Sequence, residues 1–259
     1  MRDSIDCGWV MSSHTEPASK SKRAVDIDIH VTARPASIDL PLARTALVVV
    51  DMQNGYGSPG GYREIIGRNI SGVEQVVANN VRVITAARAA GVTIVYLQNG
   101  WDEELKSSGG PESPNWYKSN PLKLMRQRPQ LRGKILTHGS WDYDFVSAIE
   151  PLADELIVPK ARYSGFCGTS LDGLLRARNI RHLIVTGLTS NVCVESTIRE
   201  AYHREYFCVL VDDASQQSGQ RFIHDAVLYN VETFFGWVTT TDAICDALKS
   251  TTCSPVAAA

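Results

Sequence analysis

Short apolar runs rich in β-branched residues recur along the chain, separated by longer segments with helical spacing. Such runs are typical of buried parallel strands, and they predict strands at residues 46–51, 92–98, 134–136, 155–160, 183–185 and 207–213. Apolar periodicity and helix-starting residues predict helices at residues 73–90, 141–149, 169–178, 191–204, 222–230 and 242–248. The alternation of strand and helix predicts an α/β fold with parallel strands and right-handed crossovers.

The two ends of the chain lack these patterns. Residues 1–30 are polar, contain Ser and Lys, and show no apolar core of a signal peptide. We therefore predict a disordered tail at 1–30, a single domain at 31–249 and a frayed tail at 250–259. Met11 is an alternative start.

Composition narrows the class of protein further. The chain is 44% hydrophobic and 21% charged, which is ordinary for a soluble globular domain. A net charge of -2 gives no general attraction to nucleic acid or to a membrane surface, and no apolar run approaches the ~20 residues of a membrane span. The six cysteines form no Cys-x-x-Cys pair, which indicates neither a disulfide framework nor a zinc site and favours the cytoplasm.

One cysteine follows a predicted strand in a position that favours reactivity. The run at 183–185 leads through Gly187, a predicted turn, to Ser190 and Asn191, which are good N-cap residues. Cys193 then falls in the first helical turn, where free N–H groups and the helix dipole favour a thiolate. The alternative interpretation is that Cys193 is a small buried hydrophobe.

Three predicted strand ends carry groups that complement one another: Asp51, Lys160 and Cys193. Parallel strands bring their carboxyl ends to one edge of a sheet, where ligands bind. There Lys160 would stabilise the thiolate, and Asp51 would accept the thiol proton and donate it to a leaving amine. Backbone N–H groups of Thr189 and Cys193 would hold the oxyanion. This set predicts attack on a carbonyl through an acyl-enzyme that water hydrolyses.

The segments at 50–53, 159–160 and 186–197 resemble the isochorismatase-like cysteine hydrolases. The resemblance implies a three-layer α/β/α, Rossmann-like fold around a mostly parallel six-stranded sheet, with Asp51, Lys160 and Cys193 as the catalytic triad. It also implies a cis peptide bond between Leu188 and Thr189, and a homo-oligomer, dimer or tetramer. Residues 98–104 lack the histidine with which nicotinamidases of this superfamily hold a metal, so we expect no metal and no cofactor.

Further stretches, at residues 98–103, 109–111, 113–115, 118–120, 159–166 and 232–237, resemble the ureidoacrylate amidohydrolases of pyrimidine degradation. That resemblance implies cleavage of a ureido C–N bond, with release of carbamate and an aminoacrylate. The sequence departs from that family at 167–169 and 188–190, and its Cys167 turn is similar to biuret hydrolases. Triuret or biuret, cleaved with release of ammonia, therefore stays an open alternative.

A small planar ureido group predicts a particular set of contacts. We expect Gln53, Asn99, Tyr163 and Leu188 beside it, with Trp101 over its flat face. Arg132 is the candidate partner of a substrate carboxylate, or else a solvated surface charge. The irregular stretch 99–133 is expected to be a lid or pocket wall, with Trp116 and Tyr117 lining the pocket or an oligomer contact.

Two other classes of function are weighed against the hydrolase. A non-catalytic binding protein can share the fold, but a complete triad argues against it. A dinucleotide-binding oxidoreductase would need a Gly-rich fingerprint after the first strand, and residues 51–55 do not provide it.

Overall fold

A six-stranded parallel sheet and a two-stranded antiparallel hairpin form the centre of the computed structural model, which describes residues 27–250. The strands are β1 (Asp28–Val31), β2 (Ile38–Pro41), β3 (Thr45–Val50), β4 (Thr93–Asn99), β5 (Leu156–Lys160), β6 (His182–Leu188), β7 (Phe207–Gln216) and β8 (Gly236–Thr239). In the large sheet the order is β5-β4-β3-β6-β7-β8, and each neighbouring pair is parallel. The hairpin pairs β1 with β2.

Nine α-helices connect and cover these strands within residues 27–250. They are α1 (Asn54–Gly57), α2 (Tyr62–Ile65), α3 (Val73–Ala89), α4 (Pro114–Lys118), α5 (Asn120–Gln127), α6 (Leu171–Ala177), α7 (Glu195–His203), α8 (Arg221–Asn230) and α9 (Thr241–Lys249). A π-helical turn, Ser190–Val194, precedes α7, and a second one, Val231–Phe235, follows α8. None of these helices is both long and apolar enough to cross a membrane.

The sheet is buried on both faces, as its continuous apolar strands require. Alternate residues of β3 point to opposite sides: Leu47 and Val49 belong to a core shared with α3, α9 and the hairpin, while Val48 and Val50 belong to a core shared with α6, α7 and α8. The molecule therefore has three layers, helices, sheet and helices. The predicted α/β/α class with a six-stranded sheet is confirmed.

Several local predictions need correction. No strand forms at 134–136 and no helix at 141–149, because this part of the chain bonds to the segment after β3 instead: Val146 N–H donates to Met52 O, and Asn54 N–H donates to Asp144 O. The pattern also missed the hairpin, α4, α5 and β8. Gly187 lies inside β6 with φ 111 rather than in a turn, and a Cβ there would lie 2.0 Å from Val50 O.

The predicted N-terminal tail is too long by three residues. β1 begins at Asp28, and Ile29 packs in the core against the sheet. The rest of the predicted tails, residues 1–26 and 251–259, lies outside the described residues.

Candidate active site

The carboxyl edge of the sheet brings the predicted catalytic residues together where the strand order reverses. From β3 the chain first adds β4 and β5 on one side and then crosses to add β6 on the other. Asp51 follows β3, Lys160 ends β5, and the turn that carries Cys193 follows β6. Ligands in open α/β sheets bind at such a reversal, so the topology alone places these groups in one crevice.

Asp51 and Lys160 form a fully buried ion pair. Lys160 Nζ lies 2.8 Å from Asp51 Oδ2, and both side chains are inaccessible to solvent. Lys160 Nζ also donates to the carbonyl oxygens of Arg162 and Tyr163, each at 3.1 Å. Burial lowers the pKa of Lys160, but its contacts with Asp51 and the Cys193 sulfur outweigh burial and raise it. Lys160 therefore stays a cation despite its burial.

Cys193 lies in the π-helical turn, close enough to the Asp51 carboxylate for that group to affect the pKa of its thiol. Burial and the neighbouring carboxylate raise the pKa of the thiol above its ordinary value, although Lys160 lowers it. The sequence predicted a thiolate from the helix dipole, but burial and Asp51 favour the neutral thiol at rest. Since burial also raises the pKa of Asp51, the carboxylate is a stronger base than an exposed aspartate and is placed to remove the thiol proton.

One hydroxyl connects the segment after Lys160 to the turn that carries Cys193. Thr197, on α7, donates from Oγ1 to the Cys193 carbonyl oxygen at 2.6 Å. Thr197 Oγ1 also accepts a hydrogen bond from Gly165 N–H at 2.9 Å. Thr197 is fully buried, so this pair of bonds is shielded from water.

A small cavity of about 70 Å³ opens beside the Cys193 sulfur. Its lining consists of Tyr56, Tyr62, Arg63, Ile66, Asn99, Ser119, Asn120, Pro121, Tyr163, Thr189, Val192, Cys193 and Ser218. The lining includes both residues predicted to supply oxyanion N–H groups, and the predicted cis peptide bond between Leu188 and Thr189 is confirmed. A larger surface groove near β8, of about 510 Å³, contains none of the three predicted catalytic residues.

Two of the predicted substrate contacts, Asn99 and Tyr163, line this cavity. Asn99 Oδ1 accepts from the Tyr56 hydroxyl at 2.7 Å and Nδ2 donates to Lys160 O at 3.1 Å, which fixes the amide. Tyr163 lines the cavity together with Ser119.

The other four predicted contacts do not line this cavity, contrary to the prediction. The fully buried amide of Gln53 exchanges hydrogen bonds with the Asn99 backbone and donates to Tyr143 O, so it supports Asn99 rather than a ligand. Trp101 is a core residue whose indole donates to Ala161 O. Leu188 packs in the core, and Arg132 is exposed at the surface, away from the cavity.

The stretch 99–133 does supply part of the pocket wall, through Ser119, Asn120 and Pro121. The two aromatic residues predicted as linings do not. Trp116 is half-buried under the Arg126 guanidinium, 4.4 Å from its ring centroid, and Tyr117 points to solvent with 54% exposure.

The sequence did not predict three of the lining residues, Tyr56, Tyr62 and Arg63. They follow Asp51 on two short helices, and the only sequence signal was their nearness to an acidic strand end. Arg63 is 3% exposed, which is unusual for an arginine without a carboxylate partner. Among residues 27–250 no group of three or more His, Cys, Asp or Glu side chains is arranged to hold a metal ion.

Comparisons with known proteins agree with this fold. A family model described as the Isochorismatase domain matches residues 45–243. The crystal structure of a cysteine hydrolase from Pseudomonas syringae pv. phaseolicola 1448A is similar over 82% of this chain and 95% of that one, at 29% identity and a TM-score of 0.67.

Two further solved structures are similar. An N-carbamoylsarcosine amidase from Thermoplasma acidophilum shares 26% identity over 77% of this chain and 97% of that one, with a TM-score of 0.56. An isochorismatase family protein from Desulfovibrio vulgaris subsp. vulgaris str. Hildenborough shares the fold at 24% identity, with a TM-score of 0.65 over 80% of this chain and 98% of that one.

Proposed function

This chain belongs to the isochorismatase family of hydrolases, and from that premise we propose that it is a cysteine amidohydrolase of linear ureido compounds. One observation carries the proposal: a thiol, a buried lysine and a buried carboxylate meet beside one cavity. The similarity to an N-carbamoylsarcosine amidase supports the same class of substrate, because that protein's name describes an N-carbamoyl compound.

In the proposed reaction Asp51 takes the thiol proton as the Cys193 sulfur attacks the ureido carbonyl carbon. The oxyanion accepts hydrogen bonds from the N–H groups of Thr189 and Cys193. Collapse breaks the C–N bond, and Asp51 gives the proton to the departing amine. Water then attacks the carbamoyl thioester, passes a proton to Asp51, and releases carbamate as the sulfur leaves and regains that proton.

The charge of the cavity supports a substrate that carries a carboxylate. Arg63 lines the cavity and forms no ion pair with any described residue. Its terminal nitrogens donate to neutral oxygens of Tyr56, Asn69, Gln216 and Gln217, and Nε has no partner. Burial lowers the pKa of this arginine. A buried cation without a counter-charge is unfavourable, so an anionic substrate would relieve it.

A recess next to the cavity is also lined by positively charged side chains. It is about 340 Å³ in volume, shares Ile66 and Asn120 with the cavity wall, and is lined by Arg68 and Lys123 with no carboxylate. Cationic clefts attract anionic ligands and increase their rate of association. Ureidoacrylate-type acids therefore fit this site better than neutral triuret or biuret. The Cys167 turn, which resembles biuret hydrolases, borders a different recess.

A substrate panel tests the proposed function. We expect release of carbamate, measured as carbon dioxide, from 3-ureidoacrylate and 3-ureidopropionate, with lower kcat/KM for biuret and triuret. Formation of the free amine in an amount equal to the carbon dioxide would confirm that the ureido group is hydrolysed. A folded protein that is inert with all four compounds and with simple amides would contradict the proposal and favour a binding protein.

Arg63→Gln tests the charge preference separately from folding. The measured quantity is the ratio of kcat/KM for 3-ureidopropionate to kcat/KM for its neutral primary amide. We expect this ratio to fall about tenfold or more in Arg63→Gln, equivalent to ~1.4 kcal/mol, because the counter-charge is lost. Arg63→Lys is the matched control, since it keeps the charge but not the four guanidinium bonds. An unchanged ratio in Arg63→Gln would remove the carboxylate assignment.

A further inference from the structure

A buried histidine outside the cavity connects two other elements to the turn that carries Cys193. His224 lies on α8 and is 1% exposed. Its Nδ1 lies 2.8 Å from Ser190 Oγ, and its Nε2 lies 2.8 Å from Asp212 Oδ1. Ser190 is the first residue of the π-helical turn, three positions before the nucleophile.

The chemistry of the three groups fixes the direction of these hydrogen bonds. A carboxylate only accepts, so His224 Nε2 carries a proton and donates to Asp212. When the ring is neutral, Nδ1 is then an acceptor, and the Ser190 hydroxyl donates to it. Partial burial raises the pKa of Asp212, but the hydrogen bond from His224 and nearby cations outweigh burial and lower it. Asp212 is therefore ionised and fixes the tautomer and orientation of the ring.

Asp212 reaches the ring because β7 departs from regular pairing at this point. Val185 of β6 pairs with Leu210, but Gly187 pairs with Ser215, so the segment containing Asp212 has no register partner in β6. Such irregularities redirect side chains next to functional sites. Within this irregular segment the Asp212 carboxylate contacts His224 on α8.

A second bond from the same region holds the next residue of the turn. Asn191 Oδ1 accepts a hydrogen bond from Ser218 N–H, in the segment after β7, at 2.9 Å. Ser190 itself is fully buried and does not line the cavity. Its hydroxyl therefore cannot reach a substrate, and its bond with His224 acts on the position of the turn.

We propose that Asp212, His224 and Ser190 form a positioning network, which holds the turn 190–194 so that the Cys193 sulfur and the N–H groups of Thr189 and Cys193 face one carbonyl group. His224 is a positioning residue and not a catalytic one. This proposal rests on the proposed function. The effect of the network on the reactivity of the Cys193 sulfur can nevertheless be measured without any substrate. Small displacements of reacting groups cost up to about a hundredfold in rate.

Substitutions of His224 test the network. We expect His224→Ala to lower kcat about tenfold to a hundredfold, with KM within about threefold of wild type, because the turn is misplaced while the cavity walls stay. His224→Asn retains an acceptor near the Nδ1 position for the Ser190 hydroxyl. His224→Gln retains a donor near the Nε2 position for Asp212. We expect Asn to recover more of kcat than Gln, since it holds the turn directly.

The second measurement is the rate at which iodoacetamide alkylates Cys193, followed by mass spectrometry of the Cys193 peptide. We expect His224→Ala and Ser190→Ala to change this rate at least threefold. Asp225→Asn, which removes an exposed ion pair with Arg221 on the same helix, should leave both the rate and kcat unchanged. Ser190→Ala removes only one oxygen atom. If His224→Ala does not fold, kcat and the alkylation rate of Ser190→Ala still test the network.

Two results would overturn the network: folded His224→Ala and Ser190→Ala variants with wild-type kcat and alkylation rate, or losses in kcat that follow only the folded fraction. Wild-type protein that hydrolyses nothing in the panel would instead remove the proposed function. The alkylation rate would still decide whether the network positions the sulfur.

Discussion

Cys193→Ser is expected to lower kcat by about 10⁴-fold or more, the scale of loss when a catalytic nucleophile is removed. The serine hydroxyl is a far weaker acid than a thiol, so Asp51 cannot generate the nucleophile from it. The substitution replaces one buried atom by another of similar size in a site that already contains a hydrogen-bond acceptor. We therefore expect the free energy of unfolding to stay within about 1.5 kcal/mol of wild type.

The measurement combines steady-state turnover, urea unfolding and thiol labelling. Iodoacetamide should inactivate the wild type in parallel with modification of Cys193. Cys167→Ser is the matched control, because Cys167 is an exposed free thiol outside the cavity, and its loss should alter neither turnover nor inactivation. Turnover by a folded Cys193→Ser variant at more than a tenth of the wild-type rate would disprove the covalent mechanism.

Lys160→Met is expected to destabilise the protein by about 3–5 kcal/mol at pH 7.5 and to abolish turnover. Removing one member of a buried ion pair leaves the other charge without compensation, and here both side chains are fully inaccessible. Stability is measured as the free energy of urea unfolding. The double variant Asp51→Asn/Lys160→Met is the matched control and should lose less stability than Lys160→Met alone, because neither charge remains.

The pH dependence of Lys160→Met identifies the origin of the loss. Lys160 lowers the pKa of Asp51, so its removal raises that pKa further above the ordinary value of 3.8. A carboxyl whose pKa is higher in the folded than in the unfolded state destabilises the fold above its unfolded pKa, and the penalty shrinks as pH falls. The difference from wild type should therefore be smaller at pH 5 than at pH 7.5. An equal difference at both pH values would attribute the loss to packing.

The sequence predicted that Asp51, Lys160 and Cys193 would lie close together, because strand ends are easy to recognise. Apolar runs end at Asp51 and Lys160, and parallel strands share one carboxyl edge whatever the loops do. The ionisation of Cys193 was harder to predict, since it depends on burial and on a carboxylate that is far from Cys193 in the sequence. Helix position alone indicated the opposite direction for the pKa of this thiol.

Substrate contacts were predictable only in part, because they depend on tertiary packing. Trp101 and Gln53 have the right chemistry for a ureido ligand, but the core and the Asn99 backbone use them. Arg63 is one arginine among many in the sequence, and only its burial without a carboxylate distinguishes it. The hairpin and β8 have strands of four residues each, too short for a clear periodic signal.

The two hydrogen bonds of Thr197 Oγ1 have a mechanical consequence. Gly165 follows the strand that ends in Lys160, and Cys193 follows a strand on the other side of β3, so within the sheet the two segments are joined only through β4 and β3. A single oxygen that accepts from one part and donates to the other ties their displacements together. This direct connection, outside the sheet, restrains the distance between the segment after the cation and the turn that carries the sulfur.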